Sequence, residues 1–162
     1  MLQDHCGHVK AAACEALGVV AEEDDERAVA AVRVLLEDRD EKVRKASVEC
    51  LARISRRGNE LVVAGIFAKV EDRYAPVRIA AAHGLLAVAE RGDGRVLQAV
   101  SLCLNDKDDL VRQAGVELMS GLAGKEGKAA MELIRPRLED QSACVRAAAI
   151  RALNAVAQRG DE

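Results

Sequence analysis

Apolar residues recur along the chain in stripes with the spacing of an α-helix, and two kinds of stripe alternate. The first kind, here called helix A, has apolar residues three or four positions apart. It recurs as Val29, Val32, Leu36; Val63, Ile66, Val70; Leu97, Val100, Leu104; and Met131, Ile134, Leu138. The second kind, helix B, begins at a Val followed by a basic residue and continues as in Val43, Ala46, Cys50, Leu51 and Ile54. The pattern therefore predicts an all-α protein built from helix pairs.

The same pattern returns every 34 residues without a gap. The Val and its basic neighbour stand at Val9-Lys10, Val43-Arg44, Val77-Arg78, Val111-Arg112 and Val145-Arg146. An aspartate precedes each Val by five residues, at Asp4, Asp38, Asp72, Asp106 and Asp140. Self-similarity at this spacing is typical of stacked repeats, in which each unit buries its apolar face against its neighbours.

Capping residues mark where the helices are expected to start and stop. Helix A is preceded by Asp25, Asn59, Asp93 and Gly127, and helix B by Asp40, Asp108 and Ser142. The third helix B has Pro76 in its first turn instead. Helix B is expected to end at Arg57-Gly58, Arg91-Gly92 and Arg159-Gly160, with Lys125-Glu126 in the same place of the remaining repeat.

These boundaries divide the chain into one half repeat and four full repeats. The half repeat covers 1–22, with a bare helix B at roughly 7–21. The full repeats cover 25–57, 59–91, 93–125 and 127–159, so that 1–162 forms a single solenoid of about nine helices. Neither end carries the polar cap that solenoid ends normally need. This indicates a segment of a longer array, or ends that associate with another copy.

The order of apolar helix, Asp, short loop, Val-Arg and Ala-rich helix resembles HEAT repeats. It is most similar to the short variety also found in phycobilisome-lyase-like proteins. The resemblance covers nearly the whole chain and implies a right-handed α-α superhelix. Tetratricopeptide repeats share the period, but their aromatic positions are absent, since the chain has no Trp, one Tyr and one Phe.

The resemblance also implies a structural ladder of hydrogen bonds between an Asp and the Arg six residues further on. The residues concerned are Asp38, Asp72, Asp106 and Asp140 with Arg44, Arg78, Arg112 and Arg146, respectively. A bidentate contact between carboxylate and guanidinium fixes loop geometry and register. The ladder takes these arginines out of any argument for nucleic-acid binding.

Composition narrows the partners. The net charge is −3 with charges of both signs, so there is no global basic field for nucleic acid or an acidic membrane. No apolar run approaches the ~20 residues that cross a bilayer. The cysteines are odd in number, five in all, and no signal peptide precedes them. We therefore expect reduced thiols and a cytoplasmic protein, with Cys14 and Cys50 acting as small core residues.

Comparison of the repeats with one another points to a candidate binding surface. On helix B, four positions opposite the apolar stripe vary between repeats, and by resemblance this side lines the concave face. The third repeat stands out because Ile79 and Leu86 are apolar there, with His83 between them and Tyr74 just before the helix. Five polar residues flank this spot: Lys45, Glu49, Arg56, Gln113 and Glu117. Isolated apolar residues on a protein surface are also common.

No motif for catalysis, a metal or a cofactor emerges. His5, Cys6 and His8 cluster at the N-terminus without further ligands, and His83 has no nucleophile at a catalytic spacing. The sequence predicts a non-enzymatic scaffold that binds a protein or peptide on its concave face. Two alternatives remain open: a bilin lyase or chromophore-chaperone role, by resemblance, and nucleic-acid binding, for which a basic groove and stacking aromatics are lacking.

Overall fold

The computed structural model describes residues 1–122 and 127–160, and within these residues all regular structure is helical, which confirms the predicted fold class. The α-helices are α1 (Gly7–Val20), α2 (Glu26–Val34), α3 (Glu41–Ile54), α4 (Glu60–Phe67), α5 (Ala75–Val88), α6 (Gly94–Leu104), α7 (Asp109–Leu122), α8 (Gly127–Ile134) and α9 (Ala143–Gly160). Two 3-10 segments, Leu35–Glu37 and Arg135–Glu139, follow α2 and α8. The chain forms two compact units, Met1–Ala99 and Val100–Glu162, with α6 running across the boundary.

In the first unit the B helices pack side by side and the A helices cover them. α3 packs between α1 and α5, α2 lies on α3, α4 lies on α5, and α2 touches α4. The core consists of fully buried aliphatic residues: Val32, Val43, Leu51, Val62, Val63, Ile66, Val77 and Leu85. Because nearly all of these side chains are small or medium in size, the helices can approach closely and interlock along their ridges.

The second unit repeats the same arrangement. α7 packs on α9, α8 packs on both, and the 3-10 segment Arg135–Glu139 lies against α9. Pro136 lies in that segment. Proline has no N–H to donate and clashes with the preceding turn of an α-helix. The α-helix therefore ends at Ile134, and the chain continues as a 3-10 helix. Val111, Val116, Ile134 and Val145 are buried in this unit.

Several predicted caps are confirmed. Asp25 accepts hydrogen bonds from the backbone N–H groups of Arg27 and Ala28, at 2.9 and 3.2 Å. Asn59 and Asp40 accept from backbone N–H groups in the first turns of α4 and α3. Each bond satisfies a donor that the start of a helix leaves without an intrahelical partner, which explains why these helices begin where they do.

The predicted ends of helix B were placed too far along the chain. α3 ends at Ile54 and α5 at Val88, because Ser55 and Ala89 adopt extended backbone. The glycines come later, with φ of 81° at Gly58 and 88° at Gly92, so they shape the loop and do not cap the helix. The N–H of Gly58 donates to the carbonyl oxygen of Val88 in the next repeat, at 2.8 Å.

α9 also departs from the prediction, since it includes Gly160 and does not end before it. The turn predicted at Lys125-Glu126, and with it the end of repeat 93–125, lies outside the described residues.

The two cysteines expected in the core of helices B are buried, Cys14 on α1 and Cys50 on α3. Burial raises the pKa of Cys50 to about 11 and also raises that of Cys14, so both remain neutral apolar side chains at neutral pH.

Candidate binding groove and the ladder beside it

An arginine at the start of a helix B binds the aspartate of the following repeat. The Nε and Nη2 atoms of Arg44 donate to the two carboxylate oxygens of Asp72 at 2.8 and 2.9 Å. In the second unit Arg112 binds Asp140 in the same way, at 2.8 Å for both bonds. The two residues of each pair are 28 positions apart. This bidentate pairing fixes both the distance and the plane of the two groups.

This geometry corrects the pairing that the sequence analysis gave. Arg44 does reach back six residues to Asp38, but its Nη1 atom donates to the backbone carbonyl oxygen of Asp38, at 2.8 Å. Arg78, Arg112 and Arg146 make the same backbone contact six residues upstream. The carboxylates of Asp38, Asp72 and Asp140 instead accept hydrogen bonds from the preceding repeat, from Lys10, Arg44 and Arg112, respectively.

The aspartate carboxylates also hold the loop that leads into helix B. The N–H groups of Tyr74 and Ser142 donate to Asp72 and Asp140, at 3.0 and 2.9 Å. The hydrogen bonds from Arg112 lower the pKa of Asp140, against a smaller opposing effect of burial. Burial alone would raise the pKa of Asp72, but the bonds from Arg44 and from the N–H of Tyr74 lower it overall.

The first rung of the ladder is chemically different. Lys10 replaces arginine there, and its Nζ atom makes a single contact of 2.7 Å with Asp38. An ammonium group is a point charge and cannot reproduce the two parallel bonds of a guanidinium. At the last repeat, Arg146 donates to the backbone oxygens of Asp140 and Gln141, at 2.8 and 2.9 Å.

Tyr74 belongs to this ladder. Its ring lies 4.8 Å from the guanidinium carbon of Arg73 and 5.5 Å from that of Arg44. Both distances fit a cation–π contact, which covers one face of the Arg44 side chain. Tyr74 therefore packs beside the Arg44–Asp72 pair, and it does not line the groove described next.

A groove of about 630 Å³ runs between α3 and α5. Four of the residues singled out from the sequence line it: Lys45, Glu49, Ile79 and His83. Six further lining residues were missed: Ala52, Arg53, Pro76, Ala80, Gly84 and Ala87. The sequence indicates this groove only through the small residues of α5, which leave space beside α3. A comparison of equivalent positions in the repeats does not reveal the six residues, because most of them resemble their counterparts in the other repeats.

The remaining residues of the predicted surface lie elsewhere. Arg56 and Leu86 belong to the first unit but do not line this groove. Gln113 and Glu117 lie on α7 in the second unit, where the amide of Gln113 donates to the carboxylate of Glu117 at 2.9 Å. Glu117 also lies 3.8 Å from Arg151, on α9. These two side chains therefore form a polar cluster of their own.

The α3–α5 groove combines an apolar floor with a charged rim. Ile79, Pro76 and the small residues of α5 form the floor. Lys45 and Glu49 form an exposed pair one helical turn apart, at 3.4 Å. Arg53 is exposed and binds no acceptor within residues 1–122 and 127–160 as described. A smaller pocket of about 310 Å³ between α1 and α3 shares Lys45 and Glu49 with this groove and extends the candidate surface onto α1.

The described part of the chain contains neither a candidate metal site nor a candidate membrane-spanning helix. No three His, Cys, Asp or Glu side chains converge there in an arrangement that could hold a metal ion. Among the same residues, no helix combines the length and the apolar character needed to cross a membrane.

The repeated helix pairs and their ladder define the class: an α-helical repeat protein. A family model for HEAT repeats matches residues 1–85 and, in an overlapping second match, 35–120. These matches together span most of the 162 residues, so the chain belongs to the HEAT-repeat family. None of the curated proteins is similar enough to count as a match.

Solved structures of engineered repeat proteins share the fold. An engineered protein from the Northeast Structural Genomics Consortium is 21% identical, with a TM-score of 0.64 over 97% of this chain and 78% of that one. A designed armadillo repeat protein in complex with the peptide (KR)4 is 18% identical, with a TM-score of 0.65 over 96% of this chain and 78% of that one. At this level of identity the similarity concerns the fold. Stacked repeats of this kind form extended concave surfaces that repeat proteins use for binding.

Proposed function

We propose that this protein is a non-enzymatic scaffold that binds a segment of a partner protein in the α3–α5 groove. The observation that carries the proposal is the combination of an apolar floor around Ile79 with the exposed side chain of Arg53, which has no acceptor among the described residues. Binding hot spots typically pair an apolar anchor in a pocket with a few charged groups that orient it.

The charges of the groove indicate the chemistry of the partner. Lys45 and Arg53 supply two positive charges, and Glu49 is already paired with Lys45. A partner segment with a carboxylate next to an aliphatic side chain satisfies Arg53 and covers Ile79 at the same time. The designed armadillo protein binds the basic peptide (KR)4. For the present groove we expect the opposite preference, because a second positive charge beside Arg53 is repelled.

Selection from a library of short random peptides tests this function. We expect the recovered peptides to combine Asp or Glu with Leu, Ile, Val or Phe, and (KR)4 to show no saturable binding. Ile79→Ser and Arg53→Ala should each lower the affinity for the recovered peptides by about tenfold or more. A tenfold loss corresponds to about 1.4 kcal/mol of binding free energy. Leu97→Ser is the matched control, because Leu97 is exposed on α6 and lies outside the groove.

The fold of each variant provides the second control. Ile79 and Leu86 are half-buried, so Ile79→Ser and Leu86→Ser should leave the helical content and melting temperature nearly unchanged. Leu86→Ser should also leave peptide binding unchanged, because Leu86 does not line the groove. The proposal fails if peptide binding is indifferent to both Ile79→Ser and Arg53→Ala.

A further inference from the structure

The α3–α5 groove and the smaller pocket between α1 and α3 occupy equivalent places in consecutive repeats. The α1–α3 pocket is lined by two matching sets of residues, each 34 positions from the other: His8, Ala11, Ala12 and Glu15 on α1, and Lys42, Lys45, Ala46 and Glu49 on α3. The next matching set lines the α3–α5 groove: Pro76, Ile79, Ala80 and His83 on α5. The helices B of the first unit therefore present the same kind of cleft twice.

The packing of the helices sets the distance between these two clefts. Neighbouring packed helices lie about 8–10 Å apart, so equivalent points in the two clefts are separated by about the same distance. Side chains on one side of a β-strand recur every second residue, about 6.6 Å apart. In a polyproline II helix they recur every third residue, about 9.3 Å apart. Of these two extended conformations, polyproline II matches the spacing of the clefts.

The ridge between the two clefts also fits a polyproline II segment. Lys45 and Glu49 line both clefts, and their side chains are 46% and 42% exposed. A polyproline II segment makes no internal hydrogen bonds, so its carbonyl oxygens and its N–H groups need partners. Lys45 can donate to a carbonyl oxygen that crosses the ridge, and Glu49 can accept from an N–H group. An α-helix has little use for these two groups, because its backbone is already hydrogen-bonded.

The two clefts differ in chemistry. Ile79 lines the apolar α3–α5 groove, whereas the α1–α3 pocket has Lys42 on one wall and Glu15 on the other. Both of these charged side chains are exposed, and within the described residues neither makes a side-chain hydrogen bond or ion pair. A carboxamide satisfies both, because its oxygen accepts from Lys42 and its NH2 group donates to Glu15. A carboxylate is repelled by Glu15, and an ammonium group is repelled by Lys42.

We infer that the partner segment is a polyproline II helix that fills both clefts, with an aliphatic residue over Ile79 and an Asn or Gln three positions away in the α1–α3 pocket. This inference rests on the function proposed above and extends the binding site from one cleft to two. The two residues between the anchors cross the ridge of Lys45 and Glu49. Proline is favoured at these two positions, because it fixes the backbone conformation before binding.

Two labelled peptides test the inference with the intact chain by fluorescence anisotropy. One is Pro-Pro-Asp-Leu-Pro-Pro-Gln-Pro-Pro, and the other carries the anchors in the opposite order, Pro-Pro-Gln-Pro-Pro-Leu-Asp-Pro-Pro. We expect one of them to bind saturably, and replacement of its Gln by Ala to lower the affinity about fivefold or more. Lys42→Ala and Glu15→Ala should each weaken binding of the Gln peptide and leave binding of the Ala peptide unchanged.

Lys107→Ala is the matched control, because Lys107 is also exposed but lines neither cleft. Binding of both peptides should be unchanged in this variant. Circular dichroism checks that Lys42→Ala and Glu15→Ala keep their helical content, as expected for exposed residues.

The spacing of the anchors is tested separately. A peptide with its Gln two or four positions from Leu should bind only as well as the Ala peptide and should be insensitive to Lys42→Ala. Glycine in place of the two intervening prolines should weaken binding, because the unbound peptide then has more conformations to lose. Equal binding at all three spacings overturns the inference. So does tighter binding of a helical, Ala-rich peptide with Leu and Gln seven positions apart, about 10.5 Å along an α-helix.

Ile79→Ser separates this inference from the proposed function. Binding that is lost in Ile79→Ser but is indifferent to both Lys42→Ala and Glu15→Ala overturns the two-cleft segment and leaves the function of the α3–α5 groove intact. The same holds if neither designed peptide binds, while peptides recovered from the random library bind and depend on Ile79. Failure of the library selection itself, with no peptide that depends on Ile79, overturns both.

Discussion

Arg44 and Asp72 lie 28 residues apart in sequence, yet two hydrogen bonds join their charged groups, and both side chains are more than nine-tenths buried. The same arginine holds the backbone carbonyl oxygens of Asp38 and Arg39. One side chain thus ties the loop of its own repeat to the loop of the next. This connection sets the register between neighbouring repeats while their helices supply the apolar burial.

Removal of the carboxylate should expose the cost of leaving the buried arginine unpaired. We expect Asp72→Ala to lower the free energy of unfolding by about 3 kcal/mol, measured by urea denaturation. Glu60→Ala is the matched control, because Glu60 also pairs with an arginine, Arg95, but is exposed. Loss of the Glu60 carboxylate should have a much smaller effect, because an exposed ion pair is well solvated and contributes little to stability. Equal effects of the two substitutions would show that burial does not set the strength of the ladder.

The first rung offers an exchange experiment. Lys10→Arg should stabilise the protein slightly, because a guanidinium can bind both oxygens of Asp38 where Lys10 binds one. The reverse exchange, Arg44→Lys, should destabilise it by about 1–2 kcal/mol, since the backbone contacts and one bond to Asp72 are lost. Melting temperatures of both variants check the sign. A stabilising Arg44→Lys would contradict the bidentate interpretation.

Acid should weaken the protein through the same carboxylates. The folded-state pKa values of Asp38, Asp72 and Asp140 are lowered. Their contribution to stability is therefore fully present above the unfolded pKa of about 3.9, and it is lost as the pH falls through the lower folded values. Asp72→Asn should be less stable than the unmodified protein at neutral pH, and the difference should shrink below about pH 4. A difference that does not change with pH would rule out this linkage.

Two glycines of α7 should respond in opposite directions. A Cβ atom on Gly115 would lie 2.8 Å from the backbone nitrogen of Leu104 and 3.0 Å from the Cβ atom of Cys103, whereas one on Gly121 would meet no atom of the described residues within 4 Å. We expect Gly115→Ala to destabilise by about 1–3 kcal/mol through overpacking. Gly121→Ala should stabilise by a few tenths of a kcal/mol through helix propensity alone. Calorimetric melting of both variants tests this pair.

Much of the helical architecture could be predicted from the sequence. The 34-residue period placed the helix pairs, and the capping residues Asp25 and Asp40 marked the true starts of α2 and α3. Helix ends were less accessible: Gly58 has the left-handed backbone expected of a terminating glycine but lies in the loop beyond the end of α3. Its role depends on the carbonyl oxygen of Val88, one repeat away, which no local pattern reveals.

The residues of the candidate surface were likewise predicted only in part. Lys45, Glu49, Ile79 and His83 were singled out because they vary between repeats on one helical stripe, and they do line one groove. Tyr74 was assigned to the same spot by proximity in sequence, but its ring packs on Arg44 in the ladder. Arg53 was not predicted because only the positions opposite the apolar stripe of each helix B were compared. A groove between two helices is also lined by residues on the sides of those helices, and Arg53 is one of them.

The sequence by itself determined the helix pairs, their repeat length and their apolar faces, because hydrophobic periodicity and capping chemistry act over a few neighbouring residues. Only the tertiary structure decided that Asp72 and Asp140 pair with the arginine of the preceding repeat, and that Tyr74 belongs to this ladder. These are contacts between residues far apart in the chain. Their partners are chosen by how neighbouring repeats stack, and a pattern read within one repeat contains no information about that choice.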